Sequence, residues 1–276
     1  MMARALALLL LLLTALPAWA APKADLWERW AAYDPASALS IDHRDWDDFL
    51  KRYRSMGADG IARFDYARAR AERAVLDFYL AELTMVPIAR FNRAEQLAFW
   101  INLYNALTIR TVLSRYPVES IRDIDISPGL LASLFSGGPW GAKLIRIDGA
   151  ELSLDDIEHR ILRPIWRDPR LHYAVNCAAL GCPNLPPEAF TAENTEKLLE
   201  AGARAYVNHP RGASVTGDRL IVSSIYDWFQ EDFGGDDASV IAHLRRYADG
   251  PLADDLARIT TIADDRYDWA LNDVKR

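Results

Sequence analysis

The sequence lacks most of the features that mark membrane proteins, nucleic-acid-binding proteins and zinc scaffolds. After residue 20, no run of eighteen apolar residues occurs, which excludes a protein with several membrane spans. No basic block stands clear of acidic neighbours, and the net charge of −7 argues against a nucleic-acid partner. The two cysteines lack the repeated Cys-x-x-Cys or the histidine pair that usually completes a four-ligand zinc site, which argues against zinc.

Several catalytic signatures are also missing. The sequence has no Walker-type phosphate loop, no dinucleotide-binding Gly-x-Gly-x-x-Gly, no His-Glu-x-x-His and no Gly-x-Ser-x-Gly. Kinase, dehydrogenase, zinc-protease and serine-hydrolase functions therefore lack their usual sequence support. We expect no cofactor and no metal.

The first twenty residues have the composition of a secretory signal peptide. Arg4 precedes an unbroken apolar run over residues 5–13, and Ala18-Trp19-Ala20 supplies small residues for cleavage. The run is too short to span a bilayer comfortably, and no cysteine follows the cleavage site to carry a lipid. We expect export to a periplasm and no stable membrane insertion after cleavage, with an uncleaved anchor as the alternative.

Apolar residues make up 51% of the chain, enough for a globular core. Helical periodicity dominates, with short strand-like segments between the helices, so we predict an α+β fold: a helix-rich single domain around a small, mostly antiparallel central sheet. A helical region over residues 21–90 is expected to pack on a domain formed by residues 91–276. The main predicted elements are helices within 25–83, a long helix from Asn92 to Tyr116, strands at 121–126, 144–147 and 171–177, a helix over 191–207, a hairpin at 215–225, and helix from 236 onward.

Two asparagines in the long helix need hydrogen-bond partners. Asn102 and Asn105 lie three residues apart on one face among apolar neighbours, where an unpaired amide costs a few kcal/mol. They either clamp a neighbouring loop or donate to a bound substrate or oxyanion. Trp100, between them and the helix start, either lines a groove for a peptide or belongs to the core.

Cys177 and Cys182, separated by four residues, are the only cysteines. A disulfide suits an oxidising compartment, although so small a ring adds only about 2 kcal/mol on the loop-entropy model. Alternatively, Cys177 is a nucleophile, which requires a nearby base and a lowered thiol pKa. The sequence leaves both interpretations open.

Two histidines lie close enough in sequence to serve as that base. His172 shares the predicted strand 171–177 with Cys177 but points to the opposite face by alternation. His159 follows Asp155 by one helical turn, and this carboxylate can orient the imidazole. We therefore favour His159, while a purely structural Asp155–His159 pair is the alternative.

Five segments together resemble the family called domain of unknown function 547. They are Leu97–Asn105, Asp156–Arg163, His172–Cys177, Cys182-Pro183 and Tyr226–Phe229 with the acidic pair that follows. The combination is specific, although each segment alone is weak.

The resemblance spans about residues 94–233 and implies the fold of papain-type and transglutaminase-type cysteine hydrolases. Because the histidine precedes the cysteine here, such a site requires a permuted order. The family motif points most strongly to His159 and Cys177.

The leading hypothesis is a periplasmic cysteine hydrolase or acyltransferase acting on an amide bond of a small peptide, such as glutathione, another thiol-containing peptide or a cell-wall peptide. The alternative is a binding module in which Cys177 and Cys182 form a structural disulfide. The candidate catalytic residues are Cys177, His159, Glu158 and Asp155, and the candidate substrate-binding residues are Asn102, Asn105, His172, Asn176 and Trp100.

Overall fold

The computed structural model of the chain describes residues 22–126 and 138–274. The predicted signal peptide, residues 1–20, lies outside the described residues. Within them, no helix has the length and apolar character needed to cross a membrane. The described α-helices are α1 (Arg44–Tyr53), α2 (Tyr66–Ala69), α3 (Arg73–Leu83), α4 (Arg93–Arg115), α5 (Leu154–Ile157), α6 (Arg163–Trp166), α7 (Thr195–Val207), α8 (Ile225–Trp228), α9 (Asp237–Tyr247) and α10 (Gly250–Arg258).

The strands form three small sheets. Two are antiparallel hairpins, and the third adds a parallel strand to an antiparallel pair. The strands are β1 (Arg54–Met56) with β2 (Ala62–Phe64), β3 (Ile145–Ile147) with β4 (Ala150–Leu152), and β5 (Ala213–Thr216) with β6 (Arg219–Ser223) and β7 (Ile262–Arg266). The α+β class is confirmed.

Helix α4 occupies the centre of the main core, where the sequence predicted a sheet. The Asn92 side chain caps the helix by accepting from the backbone N–H groups of Ala94 and Glu95, as the sequence predicts. Most of its residues are buried on all sides. A helix that is buried around most of its circumference must be covered by other elements, so α4 lies at the centre of the core and the small sheets lie around it.

Three predicted elements are wrong. Within residues 121–126, Ile121–Asp123 form a 3-10 turn and not a strand. Within residues 171–177, the first three residues belong to the 3-10 helix Pro169–Tyr173. In the second case, Asp168 accepts from the Arg170 backbone N–H and Pro169 fixes the first turn, so local capping overrides the alternating pattern. Strand β7 lies where helix was predicted, because pairing with β6 decides its conformation.

The segment before α1 packs against the rest of the chain. The Asp25 backbone N–H donates to the His159 carbonyl oxygen, and the Gln96 side chain donates to the Ala32 carbonyl oxygen. The Trp30 ring lies edge-on against Trp100, with 5.1 Å between the centroids. The predicted boundary between residues 90 and 91 stays a prediction, but these contacts show that a single core spans both sides of it.

Trp30→Ala is expected to lower the free energy of unfolding of the whole chain by about 3–5 kcal/mol, because it removes a buried ring from the core shared with α4. Urea denaturation followed by circular dichroism measures this. Leu39→Ala, at a position 47% exposed, is the control and should change stability by less than about 0.5 kcal/mol. A variant whose main transition is unshifted would show that the segment before α1 unfolds independently.

Candidate functional site

Cys177 and Cys182 are joined by a disulfide, with their Cα atoms 6.1 Å apart. The chain therefore contains no free thiol in this state. Cys177 is half-buried, whereas Cys182 is 3% exposed. The Cys177 backbone N–H also donates to Sγ of Cys182 at 2.8 Å.

The loop between the cysteines is held by the C-terminal segment of the chain. Ala179 forms an antiparallel bridge with Leu271, and the Gly181 N–H donates to the Asp268 carbonyl oxygen at 2.8 Å. A Cβ at Gly181 would lie 2.7 Å from the Asp268 backbone nitrogen, so only glycine allows this approach. The conformation of the loop that carries Cys177 therefore depends on residues almost a hundred positions later in the chain.

A cluster of four partly exposed aromatic rings begins at Tyr267, which contacts Cys177. The Tyr267 hydroxyl lies 2.9 Å from Sγ of Cys177, and its ring contacts both Trp228 and Trp269. Trp228 stacks on Trp269, and Trp140 meets Trp269 edge-on with 5.6 Å between the centroids. We call Cys177, these four aromatic residues and Asp155 the Cys177 site.

Asp155 joins this site through the backbone, because its N–H donates to the Trp140 carbonyl oxygen at 3.0 Å. Burial, with the neighbouring Glu158 and Asp156 charges, raises the pKa of Asp155 to about 7. Burial, reinforced by Glu158, also raises the pKa of Tyr104 well above its ordinary value. The Cys177 site therefore includes a carboxyl group, that of Asp155, whose charge changes near neutral pH.

The His159 imidazole is engaged on both edges. Arg163 Nη1 lies 3.0 Å from Nδ1, and Asp155 Oδ1 lies 3.6 Å from Nε2. A guanidinium only donates, so the hydrogen-bond network assigns the proton of the neutral ring to Nε2, which faces Asp155. Burial lowers the pKa of His159 and favours this neutral form.

The His172 imidazole is also held by charged partners. Its Nε2 lies 2.7 Å from Oδ2 of Asp232, and its Nδ1 lies 3.8 Å from Oε1 of Glu158. Although burial opposes ionisation, hydrogen bonds from His172 and Arg163 hold the pKa of Asp232 well below its usual range. Within the described residues, neither His159 nor His172 hydrogen-bonds to Cys177, so the triad contact that the sequence suggests is not formed in this state.

The asparagines clamp backbone segments, which is the first of the two alternatives that the sequence leaves open. Asn102 exchanges two hydrogen bonds with the backbone of Phe190, at 2.8 and 3.0 Å. Asn105 donates to the Ala174 carbonyl oxygen and accepts from the Asn176 N–H. Substrate contact by these two residues stays a prediction.

Two further predicted substrate-binding residues lie inside the protein. The Asn176 side chain donates to the Pro183 carbonyl oxygen and accepts from the Ala178 N–H, which shapes the loop between the cysteines. Trp100 is 1% exposed and packs in the core. The polar atoms of Asn176 are therefore already paired, and Trp100 is covered by its neighbours.

Four residues of this region were missed by sequence reasoning: Arg163, Asp232, Tyr267 and Trp269. Asp232 belongs to the acidic pair that follows the family-like segment Tyr226–Phe229, so a search for carboxylate partners of His172 would have found it. Tyr267 and Trp269 carried no signal, because only the pairing of residues 268–272 with the cysteine loop brings them to Cys177.

A separate cavity of about 440 Å³ lies against the Arg163–Asp232 pair. Arg167, Asp168 and Glu231 also line it, so its walls are strongly charged. Among the described residues, no group of three or more histidine, cysteine or acidic side chains is arranged to hold a metal ion.

Residues 88–207 match the model of a protein family described as "Protein of unknown function, DUF547". The chain contains a DUF547 region. This confirms the resemblance seen in the sequence. The DUF547 region includes both cysteines, both site histidines and Asp155, whereas Trp228, Tyr267 and Trp269 lie beyond it. No curated protein and no solved structure matches the chain.

Asp155→Asn is expected to flatten the pH dependence of stability between about pH 4 and pH 7. An acid whose pKa is higher in the folded chain binds its proton more tightly there, so its contribution is full below pH 4 and is lost as pH rises toward 7. The amide cannot titrate. Free energies of unfolding from urea titrations across this range, compared with those of the unsubstituted chain, measure the change in slope.

Asp156→Asn is the matched control. Burial opposes ionisation of Asp156, but bonds from Lys143 and Ser153 lower its pKa, so it stays charged in both folded and unfolded chains above about pH 5. Its replacement should lower stability throughout that range. Because the Asp156 charge is a smaller cause of the raised Asp155 pKa than burial and Glu158, the slope should decrease slightly, much less than in Asp155→Asn. Equal slopes in the Asp155→Asn variant and the unsubstituted chain would contradict the environment described for Asp155.

Proposed function

We propose that this chain is an exported protein that binds a small peptide at the Cys177 site. The disulfide carries the proposal, because a sulfur bonded to Cys182 supplies no thiolate for attack on a substrate. Binding needs no nucleophile. It needs accessible surface of the right chemistry, which the site has.

The four aromatic rings supply that surface. Partly exposed tryptophan and tyrosine rings bury apolar peptide groups at low conformational cost, and their polar edges hydrogen-bond to the peptide backbone. Asp155 adds a carboxyl group that accepts from a peptide amine. A short peptide with a free amino group fits this combination.

Two observations support export. The composition of residues 1–20 is that of a secretory signal, and disulfides persist in oxidising compartments such as a periplasm. Both features favour the same location, although they come from opposite parts of the chain.

Isothermal titration of the oxidised protein with S-methylglutathione, which has no thiol, tests the proposal, and a cell-wall stem peptide is the second ligand. We expect saturable binding of at least one of them. Trp269→Ala should weaken it by about tenfold or more, because this ring contacts the other three.

Phe78→Ala, at a position 58% exposed on α3, is the control and should bind like the unsubstituted chain. Circular dichroism verifies that each variant folds. The proposal fails if neither peptide binds, or if Trp269→Ala binds as tightly as the control.

A cysteine hydrolase is the second candidate, and two features favour it. Cys177 is only half-buried and lies against the Tyr267 hydroxyl, while Asp155 titrates near neutral pH beside His159. Once reduced, the Cys177 thiol would give its proton to His159, whose ring would first have to turn away from Arg163, and the thiolate would attack an amide carbonyl. The imidazolium so formed would protonate the leaving amine, and water would hydrolyse the thioester. A permuted papain-like fold belongs to this proposal.

Cys182→Ala separates the two candidates, because it frees Cys177 without any reductant. A hydrolase predicts peptide cleavage by this variant, followed by mass spectrometry of the products. Cys177→Ala should then lower the rate by roughly 1,000-fold or more even under reducing conditions. Absence of cleavage by both the Cys182→Ala variant and the reduced chain would eliminate the hydrolase.

A further inference from the structure

The structure assigns a thiol-exchange activity to the Cys177–Cys182 disulfide: the thiol of a small peptide bound at the Cys177 site attacks Sγ of Cys177 and is held there as a mixed disulfide. This inference rests on the proposed peptide binding and names the class of ligand. It gives the disulfide a role besides fixing the loop.

Accessibility selects which sulfur is attacked. Cys177 is half-buried and its Sγ contacts the hydroxyl of Tyr267, one of the four aromatic residues, whereas Cys182 is 3% exposed. A peptide seated on those rings therefore presents its thiol to Cys177. Thiol–disulfide exchange requires the attacking thiolate to reach one sulfur in line with the leaving sulfur, so the buried Cys182 is suited to leave.

The leaving sulfur already has a hydrogen-bond donor. The Cys177 N–H points at Sγ of Cys182 at 2.8 Å, and a donor at this position stabilises the thiolate that forms there. In the exchange, the peptide sulfur bonds to Cys177 as the Cys177–Cys182 bond breaks. The electron pair of that bond remains on Cys182, and the proton of the peptide thiol passes to solvent or to Cys182.

The loop is held without the disulfide. Backbone bonds join Leu180 to Ala270 and Gly181 to Asp268, and the Tyr206 hydroxyl donates to the Gly181 carbonyl oxygen. Arg211 Nη1 donates to the Leu180 carbonyl oxygen. Opening the S–S bond therefore leaves the loop backbone in place, and the two sulfurs separate only to van der Waals contact. Cys182 can then attack the mixed disulfide, release the peptide and restore the starting state.

The test incubates the oxidised chain with reduced glutathione, quenches with acid and reads the intact mass, with iodoacetamide and peptide mapping to place the adduct. We expect one glutathione per chain on Cys177 and alkylation on Cys182. 2-Mercaptoethanol, at equal thiolate concentration, is the comparison thiol without a peptide. Glutathione should react at least about tenfold faster.

Trp269→Ala should bring the glutathione-to-mercaptoethanol rate ratio toward one, because it removes peptide binding and leaves the disulfide intact. If the Trp269→Ala variant does not fold, Trp140→Ala replaces it. Phe78→Ala is the control. An adduct on Cys182, no adduct, or an equal rate for both thiols would overturn the inference. S-methylglutathione binding without any glutathione adduct overturns the exchange alone, whereas exchange without binding of either S-methylglutathione or the stem peptide overturns the proposed binding.

Discussion

The side-chain amides of Asn102 and Asn105 fix the geometry on which the rest of the site depends. Each amide is fully buried in α4, and each both donates to and accepts from backbone outside the helix. An unpaired amide in this core would cost a few kcal/mol, so the two loops have one position that satisfies both hydrogen bonds. The Asn105 clamp ends at Asn176, next to Cys177.

Charged side chains bind both site imidazoles, whereas Sγ of Cys177 contacts the uncharged hydroxyl of Tyr267. Arg163 bridges His159 and Asp232, and Asp232 in turn binds His172, which ties three separate elements into one buried network. Such a network is stable only when every member is paired. Cys177 lies outside it and has instead a tyrosine hydroxyl and aromatic rings as neighbours. This separation is why we propose binding and sulfur exchange rather than a histidine-activated nucleophile.

Local signals in the sequence were accurate where the chemistry is local. The helix start at Asn92 and the hairpin near residues 215–225 each depend on residues within a few positions, and the structure contains both. The strand predicted over residues 171–177 is wrong because alternating apolar residues fit a strand and a capped 3-10 helix equally well. The helix predicted over the residues of β7 is wrong because the strand that pairs with them, β6, lies some forty residues earlier.

The sequence by itself determined the α+β class, the DUF547 resemblance and the long buried helix, and it selected Cys177, Asp155 and His159 as candidate site residues. These follow from composition, periodicity and short spacings. Only the tertiary structure decided that Tyr267 contacts Cys177 and Trp269 packs on Tyr267, and that Arg163 and Asp232 bind the imidazoles. Such contacts join residues dozens of positions apart, and their energy depends on burial and on hydrogen-bond geometry that no local pattern encodes.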